Sequence, residues 1–174
     1  APVPAAEELR RVIPVIEGLR AAGVQARISV DTSKASVAAA ALQAGASIVN
    51  DVTALRGDPA LSEVLSDAGV EVELCLMHMQ GEPRTMQQEP RYDDVVGEVG
   101  AFLRERVGVA LAAGIEGERI VVDPGIGFGK TVAHNLELLD RLDELAELGR
   151  PILIGTSRKS FLGTLSGGRD RAGR

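Results

Sequence analysis

Three observations predict an α/β fold built on a parallel sheet. Short apolar runs alternate along the chain with longer segments of helical periodicity. The runs are continuous rather than alternating apolar and polar, as strands are when both faces are covered. Each run ends in a polar or charged group: Asp31, Asn50-Asp51, His78, Asp123 and Ser157-Arg158-Lys159. Such alternation implies right-handed βαβ units. Doubly wound sheets and (β/α)₈ barrels both satisfy it, and five strands do not close a barrel.

The elements follow in order. Leu9, Val12, Ile13, Ile16 and Leu19 recur at helical spacing and predict a helix over about 5–22, ended by Gly23. Pro14 falls inside it and is expected to bend or split it. A strand over 26–30 closes on Asp31. Ser33 can cap the next helix, 34–44, whose alanines permit close packing and which stops at Gly45. A second strand over 47–49 ends in Asn50-Asp51. Asp58-Pro59 opens a helix to Ala68, with proline in its first turn. The third strand, 72–77, ends at His78. The polar loop 79–91 is long for a compact domain and is expected to be functional or mobile. A long helix over 93–113 leads to a fourth strand, 119–122, and Asp123. A helix over 136–148 and a fifth strand, 151–154, complete the pattern.

Composition narrows the function. The chain has 174 residues, enough for one domain with a real core, and a single domain over 1–174 is expected, with a loose tail over 165–174. Hydrophobic residues make up 45%, against disorder. A net charge of −6 and 2% aromatics disfavour nucleic-acid binding. No apolar stretch reaches transmembrane length and no signal peptide is visible, so no membrane partner and a cytoplasmic location are expected. The lone Cys75 excludes an intrachain disulfide and fits a reducing compartment.

The segment Asp123-Pro124-Gly125-Ile126-Gly127-Phe128-Gly129-Lys130-Thr131 carries the densest chemistry. Gly129-Lys130-Thr131 supplies half of a phosphate-binding loop, but the first glycine of that motif would have to be Pro124, which lacks the N–H such a loop needs. The better reading is a pocket led by a carboxylate at the mouth of a parallel sheet. Asp31, Asn50-Asp51, His78, Asp123 and Lys159 each have a structural alternative as helix cap, turn, core histidine or solvated lysine. Their coincidence at strand ends is what favours a site. Asp123 could accept two parallel N–H bonds, Asn50 offers donor and acceptor, and Lys159 could donate to a carbonyl or ring nitrogen. Phe128, Met77 and Val52 could form apolar walls. The ligand these describe is a flat heterocycle with a polar edge, such as a 2-aminopyrimidinone. Two histidines without ligand-like spacing argue against a zinc site.

The motifs Ile28-Ser29-Val30-Asp31-Thr32, Val49-Asn50-Asp51-Val52, Leu76-Met77-His78-Met79-Gln80-Gly81, Asp123 to Lys130, and Gly155-Thr156-Ser157-Arg158-Lys159-Ser160-Phe161-Leu162-Gly163 resemble the dihydropteroate synthase family in order and spacing, over nearly the whole chain. The resemblance implies a (β/α)₈ barrel of the pterin-binding type, here incomplete at about five βα units. It also implies condensation of p-aminobenzoate with 6-hydroxymethyl-7,8-dihydropterin diphosphate in folate biosynthesis. Asp31, Asn50, Val52, Met77, Asp123, Gly127, Phe128, Gly155 and Lys159 would then contact the pterin. Ser160 and Phe128 would lie toward p-aminobenzoate, and Lys159, Asp123 and Asp31 would act in catalysis. Mg²⁺ is implied with the diphosphate, and a homodimer as the family's full-length form. Loops of the family that help hold magnesium and diphosphate have no counterpart in these 174 residues, so no metal ligand is assigned here and little turnover is expected from this chain alone. The chain begins at Ala1, without an initiator Met, and is read as a piece corresponding to strands three to seven of eight. Its flanking strands, near Ile28 and Ile152, are then expected to have open edges. A methyltetrahydrofolate-binding domain of a corrinoid methyltransferase and a non-catalytic pterin-binding paralogue remain alternatives.

Overall fold

The computed structural model describes residues 3–81 and 85–167. The chain divides into two compact units, one formed by Ala1–Leu76 with Arg106–Val121, the other by Met77–Glu105 with Val122–Arg174.

In the first unit α1 (Ala5–Ala21), β1 (Ser29–Asp31), α2 (Ala35–Gln43), β2 (Ile48–Asp51), α3 (Leu61–Ser66) and most of β3 (Glu73–Met77) follow the predicted alternation. The end of α4 (Val95–Ala112) and the start of β4 (Ile120–Asp123) complete it. The strand order is β1-β2-β3-β4, and the first two pairings are parallel, with Val30 opposite Val49 and Val49 opposite Leu74. Val49, Leu61, Leu65, Leu76 and Ile120 are fully buried. The alanine-rich face of α2 is buried as expected, through Ala35, Val37, Ala38 and Ala41. Arg119 ties the inner ends of the layers together, donating to the Val72 and Leu65 carbonyls at 2.7 Å each.

Three local expectations are corrected here. Pro14 does not split α1, which continues from Ala5 to Ala21. Pro14 is exposed, so water can serve the Arg10 carbonyl that loses its N–H partner. Ser33 does not cap α2. The N-cap position is Lys34, without a side-chain bond, and the Ala35 N–H instead donates to Asp58 Oδ2 at 2.9 Å, from 23 residues away. Asp58 also accepts from Ala60 N–H, and α3 starts three residues later than the sequence suggests.

In the second unit the His78 N–H donates to the Asp123 carbonyl at 2.9 Å, and the predicted fifth strand is reduced to a bridge between Val122 and Ile152. Pro151 has no N–H to donate, so the pairing consists of Val122 N–H to Pro151 O and Leu153 N–H to Val122 O. The helix predicted over 136–148 is two, α5 (Val132–Asp140) and α6 (Leu142–Ala146). They break at Arg141, whose guanidinium reaches Glu137, Glu144 and Asp94. α7 (Ser160–Leu165) was not foreseen. The expected tail lies, beyond Gly167, outside the described residues.

Candidate functional site

β4 delivers Asp123 to the start of the glycine-rich loop, and the loop closes on that carboxylate: Asp123 Oδ1 accepts the Gly125 N–H at 2.7 Å. Gly127 N–H donates to Asn135 Oδ1 at 2.7 Å, and Asn135 Nδ2 donates to the Thr131 carbonyl, so a buried asparagine of α5 fixes the middle of the loop. Thr131 and His134 form a reciprocal capping box that starts α5. Gly125 and Gly129 have φ of +68° and +61°. A Cβ on either would run into backbone carbonyl oxygens, those of His78 and Gln80 respectively, so the loop is pressed onto the chain leaving β3 in a way only glycine permits. The long loop 79–91 is anchored rather than free-standing where it is described. Gln80 exchanges two bonds with the Arg91 backbone, and Gln87 Nε2 donates to the Gly127 carbonyl at 2.6 Å.

Lys130 does not point outward as a phosphate-binding lysine must. It is 3% exposed, and its Nζ lies 2.9 Å from His78 Nδ1 and 3.1 Å from each of the Gly125 and Phe128 carbonyls. Burial lowers its pKa to about 7, opposed by the Asp123 carboxylate and aided by the Lys159 charge. His78 is a buried histidine, edge-on to Phe102 at 4.9 Å, in keeping with the core reading of that residue. This geometry removes the nucleotide-loop reading.

Lys159, at the start of α7, places its Nζ 4.0 Å from the Phe128 ring centroid. Gly127 makes room for it: a Cβ there would lie 3.0 Å from Lys159 Cδ. Asp123 is 7% exposed, and burial raises its pKa, against the Gly125 N–H and the charges of Lys159 and Lys130. Burial lowers the Lys159 pKa, with Asp123 pulling the other way. The structure thus brings Asp123, Gly127, Phe128 and Lys159 together. Met77 is buried, its Cγ 3.4 Å from where a Gly125 Cβ would sit, so it supports the loop from below. Ser160 is exposed in the first turn of α7, and Gly155 is exposed with open space around its Cα.

In the first unit the register sets Asp31 opposite Asn50, and Asn50 Nδ2 donates to Asp31 Oδ1 at 2.7 Å. Asn50 Oδ1 is buried without a hydrogen-bond partner, an acceptor that suits an N–H donor. Asn50 and its neighbour divide the work. Asp51, fully buried, folds the following turn by accepting from the Thr53 and Leu55 N–H groups and the Thr53 hydroxyl. That turn holds Ala54 and Leu55 at positive φ, and Arg106 Nε donates to the Ala54 carbonyl at 2.7 Å. Half-buried Val52 is thereby held in place. Sequence reasoning missed Arg106, Asn135 and the inward Lys130, because their partners are backbone groups or lie far along the chain. Among the described residues no group of three or more His, Cys, Asp or Glu is placed to hold a metal ion by itself.

A family model described as pterin binding enzyme matches residues 1–173. The chain belongs to the pterin binding enzyme family. A dihydropteroate synthase of Escherichia coli K12 is 46% identical over 165 residues, which is 95% of this chain and 57% of that protein. The solved dihydropteroate synthase from Xanthomonas albilineans in complex with 7,8-dihydropteroate matches with a TM-score of 0.88 at 48% identity, covering 98% of this chain and 62% of that one. The same enzyme with 4-aminobenzoic acid matches with a TM-score of 0.86 at 48% identity, over 98% and 61%. The chain therefore has the α/β fold of these family members and spans about three fifths of their length.

Proposed function

We propose that this chain carries the pterin-recognising part of a dihydropteroate synthase. Such an enzyme condenses p-aminobenzoate with 6-hydroxymethyl-7,8-dihydropterin diphosphate, yielding 7,8-dihydropteroate and diphosphate for folate biosynthesis. The observation that carries the proposal is the Asp123 cluster. A buried carboxylate, a partly exposed aromatic ring and an ammonium over that ring supply an acceptor edge, a flat wall and a donor. A pterin requires all three: N–H groups on its aminopyrimidinone edge, two flat faces, and carbonyl and ring-nitrogen acceptors.

In this reading Asp123 accepts from the pterin's amino edge, and Lys159 donates to a ring acceptor. Phe128 and Gly127 line the ring, with Met77 holding the loop from below. Asp31, Asn50, Val52 and Gly155 are proposed as further pterin contacts, the orphaned Asn50 Oδ1 supporting its own assignment. Ser160 and Phe128 are proposed to face p-aminobenzoate. The aryl amine would attack the pterin methylene carbon; the C–N bond forms, the C–O bond breaks, diphosphate leaves with the electron pair, and the aryl ammonium gives up a proton. Catalysis would be chiefly electrostatic, through Lys159, Asp123 and Asp31. Mg²⁺ is proposed to accompany the diphosphate, and no step is assigned to it. A homodimer and a cytoplasmic location belong to the same family reading. Among the described residues no helix is long and apolar enough to cross a membrane.

The test is calorimetric titration of the chain with 6-hydroxymethylpterin, beside Asp123→Asn, after circular dichroism shows both folded. The variant loses a charge-assisted bond, which predicts about ten- to a hundredfold weaker binding. A folded wild-type chain that binds no pterin overturns the proposal.

A further inference from the structure

Lys130 makes no contact that the reaction outlined above requires, yet it is more deeply buried than any residue named for that reaction except Met77. Its surroundings explain how. The three donors of an ammonium meet three acceptors: His78 Nδ1 on the chain leaving β3, and the Gly125 and Phe128 carbonyls within the glycine-rich loop. The two carbonyls bracket Ile126 and Gly127, so one nitrogen ties together both ends of the segment that presents Phe128. The Phe128 N–H returns to the Gly125 carbonyl at 3.0 Å, closing a tight turn around the same point. Tyr92 fixes the far side, its hydroxyl donating to the Gly129 carbonyl at 2.9 Å. The strut has its tip in the core and its product, the Phe128 ring, facing Lys159.

We propose that Lys130 is a positioning residue, an internal ammonium strut seated on His78 that folds residues 125–129 so that Phe128 is held against Lys159 and the pterin. The role rests on the pterin reading for its consequence but not for its geometry. A lysine is suited to it because a compact ammonium can point three donors at three acceptors around a single atom. Arginine's planar fork, which is larger, cannot. His78 then accepts at Nδ1 and carries its proton on Nε2. The loop's glycines allow the close approach to the 78–80 backbone, and Lys130 supplies the force that holds the loop there.

The test uses the 174-residue chain and two readouts. The first needs no ligand. The Lys159 ε-methylene protons, next to the Nζ that lies over the Phe128 ring, should show an upfield ring-current shift in the wild-type NMR spectrum, and Phe128→Leu should abolish it. In Lys130→Met, of similar length but uncharged, that shift should disappear while far-UV circular dichroism is retained. The second readout is 6-hydroxymethylpterin affinity, which should fall on the order of tenfold or more in the same variant, because displacing a recognition group by about 1 Å is expensive. If wild type binds no pterin, the functional reading fails and the ring-current shift alone decides the role of Lys130. A folded Lys130→Met that keeps the Lys159 shift overturns the strut. So does one that keeps wild-type pterin affinity. Should Lys130→Met not fold, Lys130→Gln, which retains amide donors, takes its place. Loss of fold in both variants would make Lys130 a residue of global stability and overturn the positioning role.

Discussion

Lys130 and Asp123 illustrate how burial sets charge against stability. Burial lowers the Lys130 pKa to about 7, whereas the unfolded chain titrates it near its ordinary 10.5. Between those values the unfolded chain holds a proton that the folded chain has released, so stability rises with pH. The contribution is complete above the unfolded value and is lost as pH falls through about 7. For one whole proton the slope is at most about 1.4 kcal/mol per pH unit. Lys159 has the same sign, but it is present in both proteins when wild type is compared with Lys130→Met. Tyr92, whose pKa burial raises, loses stability only above its unfolded value of 10.0. Urea unfolding at pH 7 and pH 9 should therefore show wild type gaining on Lys130→Met as pH rises. Parallel pH dependences would show that the ammonium is not buried in the way described. Asp123 was visible in the sequence as a candidate, an acid after a short apolar run followed by glycines. The lysine was not. Its partners are two backbone carbonyls and a histidine 52 positions earlier, and no spacing rule records those.

The ends of the first four strands and the presence of α1 to α4 could be read from apolar periodicity, but helix boundaries, the break between α5 and α6, and α7 could not. α2 is capped by Asp58, a residue that looked committed to the following helix. α5 and α6 keep one leucine pattern through a break where Arg141 bonds Asp94, a partner 47 residues earlier in the chain. The fifth strand stops at a bridge where Pro151 has no donor. Within the loops, the glycines that looked alike in sequence are of two kinds. Gly125 combines positive φ with a Cβ direction blocked by the His78 carbonyl, whereas Gly155 has open space and no positive φ. Gly125→Ala should then destabilise the chain by about 3 kcal/mol, from left-handed strain together with overpacking. Gly155→Ala should change stability by no more than about 0.5 kcal/mol, as ordinary exposed substitutions do. Denaturant midpoints of the two variants decide it, and similar losses at both positions would contradict the distinction. Gly155→Ala with unchanged stability but weaker pterin binding would further support that residue as a ligand contact.

Across the whole chain, the α/β alternation and the family motifs emerged from the sequence because strand-end chemistry is periodic. The division into two compact units did not, since both are assembled from segments far apart in sequence and no linker marks a boundary. Metal dependence is likewise a question for the whole chain rather than for any one motif. Asp31, Asp51 and Asp123 all sit at strand ends, where a carboxylate-bound cation would be easy to imagine. Asp51 instead spends its oxygens on the backbone of its own turn, Asp123 gives one oxygen to the Gly125 N–H, and Asp31 gives one to Asn50 Nδ2. Mg²⁺ needs near-octahedral oxygen coordination and commonly takes one or two carboxylates together with substrate phosphates. The described residues gather no group of three candidate ligands, so any magnesium requirement should enter with the diphosphate rather than with the pterin ring. The affinity of this chain for 6-hydroxymethylpterin, which carries no phosphate, should accordingly be the same in EDTA as in excess magnesium. The diphosphate ester should show a magnesium dependence that the bare pterin lacks. A magnesium-dependent affinity for the bare pterin would mean that the carboxylates at the strand ends hold a cation after all, and that the roles given to Asp123 and Asp31 as direct hydrogen-bond acceptors are wrong.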